Sequence, residues 1–325
     1  CLALGLGKGD WLWTSPNSFV ASANCGLYCQ SKVDFVDIDP QTYNMCPVQL
    51  ERKLIQAKIN NKLPKIVIPV HFAGQSCEMK KIYNLSKDYG FKIIEDASHA
   101  IGGQYKNEPT GNGHYSDITI FSFHPVKIIT TGEGGMAVTN DVALVKRMRL
   151  LRSHGISNTA ADMHPRPPQE IWNYQQIDLG FNYRMTDIQA VLGSSQMARL
   201  DSYVAKRHRI AERYDKELAG LPIQTPWQCC DNYSAYHLYP VRIKPDQSGI
   251  IQRQVYDALQ VAGVNVNLHY IPVYRQPYYE ALGFKAGYCP EAEQYYQQAL
   301  SIPMYPTLTD AEQAKVICVL QETLA

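Results

Sequence analysis

The 325-residue sequence has no apolar run approaching the ~18 residues of a membrane-spanning helix, so no membrane span is expected. Neither sign of charge predominates. Lysine and arginine number 31 against 30 aspartates and glutamates, a net charge of +1. That balance removes the electrostatic footprint of a dedicated nucleic-acid binder and of a polybasic membrane surface. There is no internal repeat and no low-complexity tract. The nine cysteines lack a disulfide or zinc framework: their number is odd, and neither Cys25/Cys29 nor Cys229/Cys230 has a matching second pair. They read as free thiols in a reducing cytosol. His71, His114, His124, His154 and His164 form no metal pattern such as H-E-x-x-H, and no metal is expected. The stretch GLGKGD (5–10) lacks the order of a phosphate loop, because Lys8 is followed by Gly9. It reads as a helix end and turn. No signal peptide is recognisable. The chain begins at Cys1 in what reads as the tail of a helix, so a preceding segment is expected.

What the sequence does hold is globular. A hydrophobic fraction of 45% and 22 tyrosines place it far from disordered chains. Its length suggests about two domains. KVDFVDID (32–39), KIVIPVHF (65–72), FKIIEDAS (91–98), DITIFSF (117–123) and GMAVTND (135–141) read as strands. They are short, rich in β-branched or aromatic residues, and bounded by Gly, Asn or Asp. Helices are expected between them at 47–60 and 76–89. This alternation predicts an α/β fold, a largely parallel sheet with helices on both faces. Ligands of such sheets bind beyond the carboxyl ends of the strands. That puts His71, Asp96, His99, Ser122 and His124 at the expected site. A helix over 142–152 carries Lys146, Arg147, Arg149 and Arg152, read as a solvated face. A polar, Pro-rich loop follows at 158–170 and a long helix at 186–219, ended by Pro222 and Pro226. The last ~100 residues predict a smaller α+β domain. Its strands are expected at 236–243 and 265–272, and its helices at 248–262, 290–300 and 309–323. The expected division is 1–219 and 220–325.

Two segments carry chemistry. In FKIIEDASHA, Asp96 closes an apolar strand, where a carboxylate is costly unless something cationic meets it. Alone it reads as well as a helix N-cap or half of an ion pair, and His99 as a structural histidine. In DITIFSFHPVKIITTGEGGMAVTND, Lys127 lies in an otherwise uncharged stretch from Phe121 to Gly132. A lysine among apolar neighbours loses ammonium solvation, so more of it is free amine, which condenses with aldehydes. Alone it reads equally as a snorkelling surface lysine. Together, a strand-end aspartate, a strand-end serine and a desolvated lysine before a glycine turn fit one cofactor, pyridoxal phosphate. The lysine would hold the aldehyde, Asp96 the protonated ring nitrogen, Ser122 the phosphate, and His99 the ring face or phenolic oxygen.

These segments, with SFVASAN (18–24), LRSHGI (151–156), LGFNYRMTDIQAVLG (179–193) and LHYIPVYRQPYY (268–279), resemble the DegT/DnrJ-type sugar aminotransferases along essentially the whole chain. The resemblance implies the type I fold of pyridoxal-phosphate enzymes. It maps the cofactor-bearing catalytic lysine onto Lys127, the pyridinium partner onto Asp96, the residue three positions on onto His99, and the phosphate serine onto Ser122. The ring-stacking aromatic maps onto Phe19. Asn182, of the Asn-Tyr-Arg motif, is implied to reach the cofactor phosphate of a partner subunit, hence a homodimer with shared active sites. Arg184 is implied as an interface or loop anchor and a candidate substrate contact, and His269 and Tyr270 as residues approaching a nucleotide-linked sugar. Within the family the segments look most like aminotransferases of the pseudaminic acid pathway. That implies transfer from glutamate to C4 of a UDP-linked 4-keto-6-deoxy-N-acetyl-hexosamine, in the cytoplasm. Two alternatives stand beside it: a dehydratase of the same fold, whose members carry His where this chain has Lys127, and a cofactor-binding regulator without turnover. The family's early phosphate-binding helix start is expected to lie before Cys1.

Overall fold

A computed structural model describes residues 1–324 apart from Arg166 and Pro168. Six strands form the main sheet: β1 (Trp11–Thr14), β2 (Lys32–Phe35), β3 (Ile66–Ile68), β4 (Lys92–Asp96), β5 (Ile118–Ser122) and β6 (Gly135–Val138). Their order is β2-β1-β3-β4-β5-β6; β6 runs antiparallel to β5 and the others are parallel. Successive side chains of a strand face opposite ways. Leu12, Ile66, Ile68 and Ile94 therefore enter one core, while Trp13, Val67 and Ile93 enter another. A sheet buried on both faces needs such unbroken apolar runs. Helix α1 (Ala21–Tyr28) covers the first face with Ala23. Helices α2 (Pro47–Ile59) and α3 (Met79–Tyr89) cover the second with Leu50, Leu54, Ile82 and Leu85. Gly90, at φ 78°, ends α3 in the left-handed conformation that glycine adopts without strain.

The five expected strands of the first half are present, each shortened at one or both ends. Strand β1 was not foreseen; its WLWT follows a glycine turn that hides a four-residue strand. That turn is structural, as Asp10 Oδ2 accepts from the Gly7 amide at 2.9 Å and from Lys65 Nζ at 2.8 Å.

Beyond β6, α4 (Val142–Arg152) starts on Asp141, whose carboxylate accepts from the Ala143 and Leu144 amides. The helix expected at 186–219 is two helices, α5 (Asp187–Met197) and α6 (Leu200–Glu217), broken at Ala198–Arg199. It also stops before Pro222: the Leu218 cap and Gly220 at φ 86° have already turned the chain.

The C-terminal part has an antiparallel sheet of β7 (Ile223–Gln224), β8 (Tyr239–Ile243) and β9 (Ala299–Ile302). Helices α7 (Gln252–Val261) and α9 (Asp310–Leu324) bury Val255, Leu259, Val316, Ile317 and Leu320 against it, and α6 adds Ile210, Ala211 and Tyr214. Thr309 caps α9 reciprocally with Glu312: the Glu312 amide donates to Thr309 Oγ1, and the Thr309 amide donates to Glu312 Oε2.

The expected strand at 265–272 is corrected. It contributes only a single bridge, Asn267 to Ser301, and the strand that pairs with β8 is β9. The ALSI run of β9 had read as the tail of the preceding helix, α8 (Pro290–Gln298). The intervening stretch crosses back to the main sheet. Tyr274, Tyr279, Ala292 and Tyr295 pack into the core beside Phe35 and Phe72. Asp37 accepts from the amides of Glu291 and Ala292 at the start of α8, which satisfies donors a helix N-terminus otherwise leaves open.

Candidate active site

In the main sheet β2 and β3 flank β1 on opposite sides, so the connections after β1 and β3 diverge and open a crevice beyond the strand ends. The site lies there. After β1 come Asn17, Ser18 and Phe19; after β3, His71 and Ala73; at the end of β4, Asp96, with His99 just beyond; at the end of β5, Ser122, with Lys127 in the turn that follows. The segment 267–270 closes the crevice from the C-terminal part: the Tyr270 amide donates to Asn17 Oδ1 at 3.2 Å and the Val273 amide to Pro16 O at 2.9 Å.

Asp96 is 7% exposed. It meets hydroxyls and not the cation that a buried strand-end carboxylate suggested. Ser22 Oγ donates to Oδ2 at 2.6 Å, and Ser98 donates to Oδ1 through Oγ at 2.6 Å and through its amide at 3.1 Å. A carboxylate has about four acceptor positions; these three bonds leave one open on Oδ2. Ser22, itself held by Ser18 Oγ at 2.7 Å, is a site residue that the sequence reading missed. The only signal was its place in SFVASAN.

Lys127 lies in the turn after β5, its amide donating to His124 O at 2.9 Å. Among the described residues its ammonium has no hydrogen-bond or ion-pair partner. Burial lowers its pKa, and the charge of Asp96 partly opposes that shift. The same lysine acts electrostatically on His99, His237 and His269, so all of these groups surround one space. His99 and His237 are buried, with rings 4.5 Å apart. Burial first, and then neighbouring positive charge, holds both well below the ordinary histidine range. His269 Nδ1 lies 2.9 Å from Ser301 Oγ, and burial and Lys127 depress its pKa to about 4. All three imidazoles are therefore neutral at pH 7. Burial and the charge of Asp96 raise the Tyr270 phenol, which keeps its proton.

The structure thus gathers Asp96, His99, Lys127, His269 and Tyr270. Ser122 stands at the strand end, its Oγ accepting from the His124 amide at 3.4 Å. Phe19 is at the mouth, 62% exposed. Asn182 and Arg184 are exposed, and among the described residues neither side chain hydrogen-bonds to the residues above: Asn182 Oδ1 accepts from Arg184 Nη2 at 2.9 Å and Nε at 3.2 Å. Their loop is set by a close crossing, since a Cβ on Gly155 would lie 1.8 Å from Asp178 O. His71 belongs to the protein interior. Its Nε2 donates to Glu95 Oε2 at 2.9 Å and its Nδ1 accepts from the Cys77 amide at 3.1 Å, so it needs no ligand. His124 is exposed. A cavity of about 400 Å³ at the opposite end of β4, lined by Tyr83, Lys87, His114 and Asp117, shares no residue with the crevice.

Two buried polar atoms beside the crevice lack partners, Asn17 Nδ2 and His237 Nδ1. Unmatched buried groups are costly, and with the open position on Asp96 and the unpartnered lysine they fit a bound group that is aromatic, aldehyde-bearing and polar at its rim. An α/β fold with this arrangement at its strand ends defines a pyridoxal-phosphate-dependent enzyme, and the cofactor is pyridoxal phosphate. Residues 1–321 match the DegT/DnrJ/EryC1/StrS aminotransferase family, to which the chain belongs. It is a sugar aminotransferase. The chain is 37% identical over 305 residues to the UDP-4-amino-4,6-dideoxy-N-acetyl-beta-L-altrosamine transaminase of Campylobacter jejuni serotype O:2, covering 93% of this chain and 76% of the relative. It is 36% identical over 318 residues to the spore coat polysaccharide biosynthesis protein SpsC of Bacillus subtilis, covering 97% and 79%. Among solved structures, Helicobacter pylori PseC, an aminotransferase involved in the biosynthesis of pseudoaminic acid, superposes with a TM-score of 0.87 at 28% identity, covering 99% of this chain and 84% of that one.

Proposed function

We propose that the chain transfers an amino group from glutamate to C4 of a UDP-linked 4-keto-6-deoxy-N-acetyl-hexosamine, as a step towards pseudaminic acid. The observation carrying the chemistry is the desolvated, unpartnered Lys127 ammonium sharing one crevice with the hydroxyl-held Asp96 carboxylate. The sugar rests on likeness to the Campylobacter transaminase. When bound, pyridoxal phosphate supplies an electron-withdrawing ring that stabilises negative charge on the carbon next to the substrate nitrogen. Lys127 Nζ, whose pKa burial lowers, would hold the cofactor and then take and return the proton at the reacting carbon. Asp96 holds a proton on the ring nitrogen through its open Oδ2 position. Ser122 donates to the phosphate, Phe19 covers the ring and excludes water, and His99 orients the site from behind. His269, neutral and anchored on Ser301, lines the approach for the sugar.

The test is a panel of UDP- and dTDP-linked keto sugars with glutamate as donor. The expected result is glutamate-dependent amination of the UDP-linked 4-keto N-acetyl sugar at least about tenfold above the others in kcat/KM. Equal rates across the panel, or a preference for a 3-keto sugar, would refute the assignment.

We further propose a homodimer in which Asn182 reaches the partner's cofactor phosphate. An apolar face supports this: Ile171, Trp172, Leu179 and Tyr183 on the loop, with Ile188 and Val191 on α5, are each more than 60% exposed. Large apolar side chains exposed in one stretch of chain mark an interaction surface, and this stretch contains Asn182. Sedimentation equilibrium is expected to give twice the 36.7 kDa chain mass; a monomer at micromolar concentration would refute it. The nine free thiols support a cytoplasmic location, and the separate C-terminal core supports a domain division at 219/220, with α6 bridging the two parts.

A further inference from the structure

Three hydrogen bonds in the crevice have a fixed direction, and together they leave one proton aimed at whatever occupies it. The loop after β3 holds Ala73 in the left-handed region, φ 58° and ψ −1°, a conformation costing an alanine roughly 1 kcal/mol. The surroundings keep it there. Ala73 O accepts from the Leu238 amide at 3.2 Å, and Gly74 O accepts from the Ala235 amide at 3.0 Å. A Cβ on Gly74 would sit 2.6 Å from the Tyr236 nitrogen. In this conformation the Ala73 amide donates to His99 Nδ1 at 3.3 Å. An amide has no lone pair to offer, so Nδ1 must be the unprotonated nitrogen. Neutral His99 then carries its proton on Nε2. Nε2 lies 3.2 Å from the Tyr270 hydroxyl, and the bond runs from His99 to the phenol oxygen. The Tyr270 proton is consequently not used on His99. Among the described residues it has no other acceptor, and Tyr270 stands beside Asp96 and Phe72 with its amide tied to Asn17. His237, from the same 234–238 segment that pins Ala73, packs at a tilt against the buried His99 ring, their centroids 4.5 Å apart.

We propose that Tyr270 is a directed hydrogen-bond donor to an oxygen of the bound ligand, with His99 as the positioning residue whose tautomer the Ala73 amide fixes. The ligand oxygen is the phenolic oxygen on the cofactor's ring or the keto oxygen of the sugar; the chemistry is the same. The proposal rests on the pyridoxal-phosphate aminotransferase reading and adds a role that the Asp96–Lys127 pair does not contain. No proton is transferred, because a phenol that keeps its proton acts as a donor and not as an acid.

The tautomer is read by nitrogen-15 NMR of histidine-labelled chain, without and with pyridoxal phosphate. His99 is expected to show a protonated Nε2 and a bare Nδ1 in both. A protonated Nδ1 overturns the proposal. The second measurement follows the two half-reactions and the visible spectrum in the Tyr270→Phe holoenzyme. Loss of one such bond is expected to slow a half-reaction by about 10- to 100-fold. If the acceptor is the cofactor's oxygen, the pH midpoint of the visible band moves and the glutamate half-reaction slows. If it is the sugar's, the spectrum is unchanged and only kcat/KM for the keto sugar falls. Spectrum and both half-reactions within twofold of the unsubstituted enzyme refute it. His99→Leu is expected to reproduce the Tyr270→Phe loss and His99→Gln to recover most of it, since a glutamine accepts from the Ala73 amide and donates to the phenol. The unsubstituted holoenzyme is the control: absence of any glutamate-driven spectral change there overturns glutamate as the amino donor.

Discussion

Replacing Lys127 by alanine is expected to abolish turnover, by about 10⁴-fold or more, and to remove the visible band of covalently held cofactor at the same time. The size follows from two losses that act together. General-base catalysis alone contributes about 10² to 10⁴, and the covalent hold on the cofactor goes with it. The same substitution is expected to leave the fold intact. The Lys127 ammonium has no hydrogen-bond or ion-pair partner among the described residues, so its removal breaks no recorded bond. It relieves an uncompensated desolvation instead, and the melting temperature of the cofactor-free chain should be equal or higher. The pH dependence gives a separate check. Burial lowers the folded-state pKa of Lys127, so between that pKa and the ordinary lysine value the unfolded chain binds more proton than the folded one. Stability therefore rises with pH from the depressed folded value up to the ordinary lysine range. Lys127→Ala should lack that component in urea titrations run at alkaline pH. A variant that kept transaminase activity, or that melted far lower, would overturn the assignment.

The second large effect is at Asp96. Asp96→Asn is expected to lower kcat by on the order of 10²- to 10³-fold, the loss typical for an electrostatic group aimed at developing charge. Cofactor binding should fall far less. The protein should remain within about 1 kcal/mol of the original stability, because hydroxyls rotate. Ser22 Oγ or Ser98 Oγ, each at 2.6 Å, can accept from the new amide as readily as it donates to the carboxylate. Paired measurements of turnover and thermal unfolding separate this from a structural role, which would predict the opposite pattern: little change in kcat per folded enzyme and a lower midpoint.

The strands were legible where apolar runs ended at Gly, Asn or Asp, and Asp96 and Lys127 were legible because a charge in an apolar setting must have a reason. What escaped depended on three-dimensional pairing. Trp11–Thr14 is too short to show a period, and Ala299–Ile302 continues the apolar pattern of a helix, so only its pairing with Tyr239–Ile243 makes it a strand. The expected helix 186–219 breaks at Ala198–Arg199 without the glycine or proline that would have signalled it. Its amino-terminal apolar residues, such as Ile188 at 85% exposure, face away from the chain's own cores. The Ala73 amide on His99 was invisible because it depends on a backbone conformation that alanine rarely adopts, and the Ser22 bond because it joins residues 74 apart in sequence.

The return of residues 273–298 to the main sheet limits how such an enzyme can be recombined. Tyr279 Oη donates to Asn24 Oδ1 at 2.6 Å, and Asp37 supports the start of Pro290–Gln298. A chimera made by grafting a relative's carboxyl-terminal third onto this scaffold would change the aromatic neighbours of Phe35 and the partner of Asp37 together with any determinants of the donor's sugar. A productive exchange of specificity must either leave that clasp with its own sheet or import the facing residues, Asn24, Phe35 and Asp37, along with it.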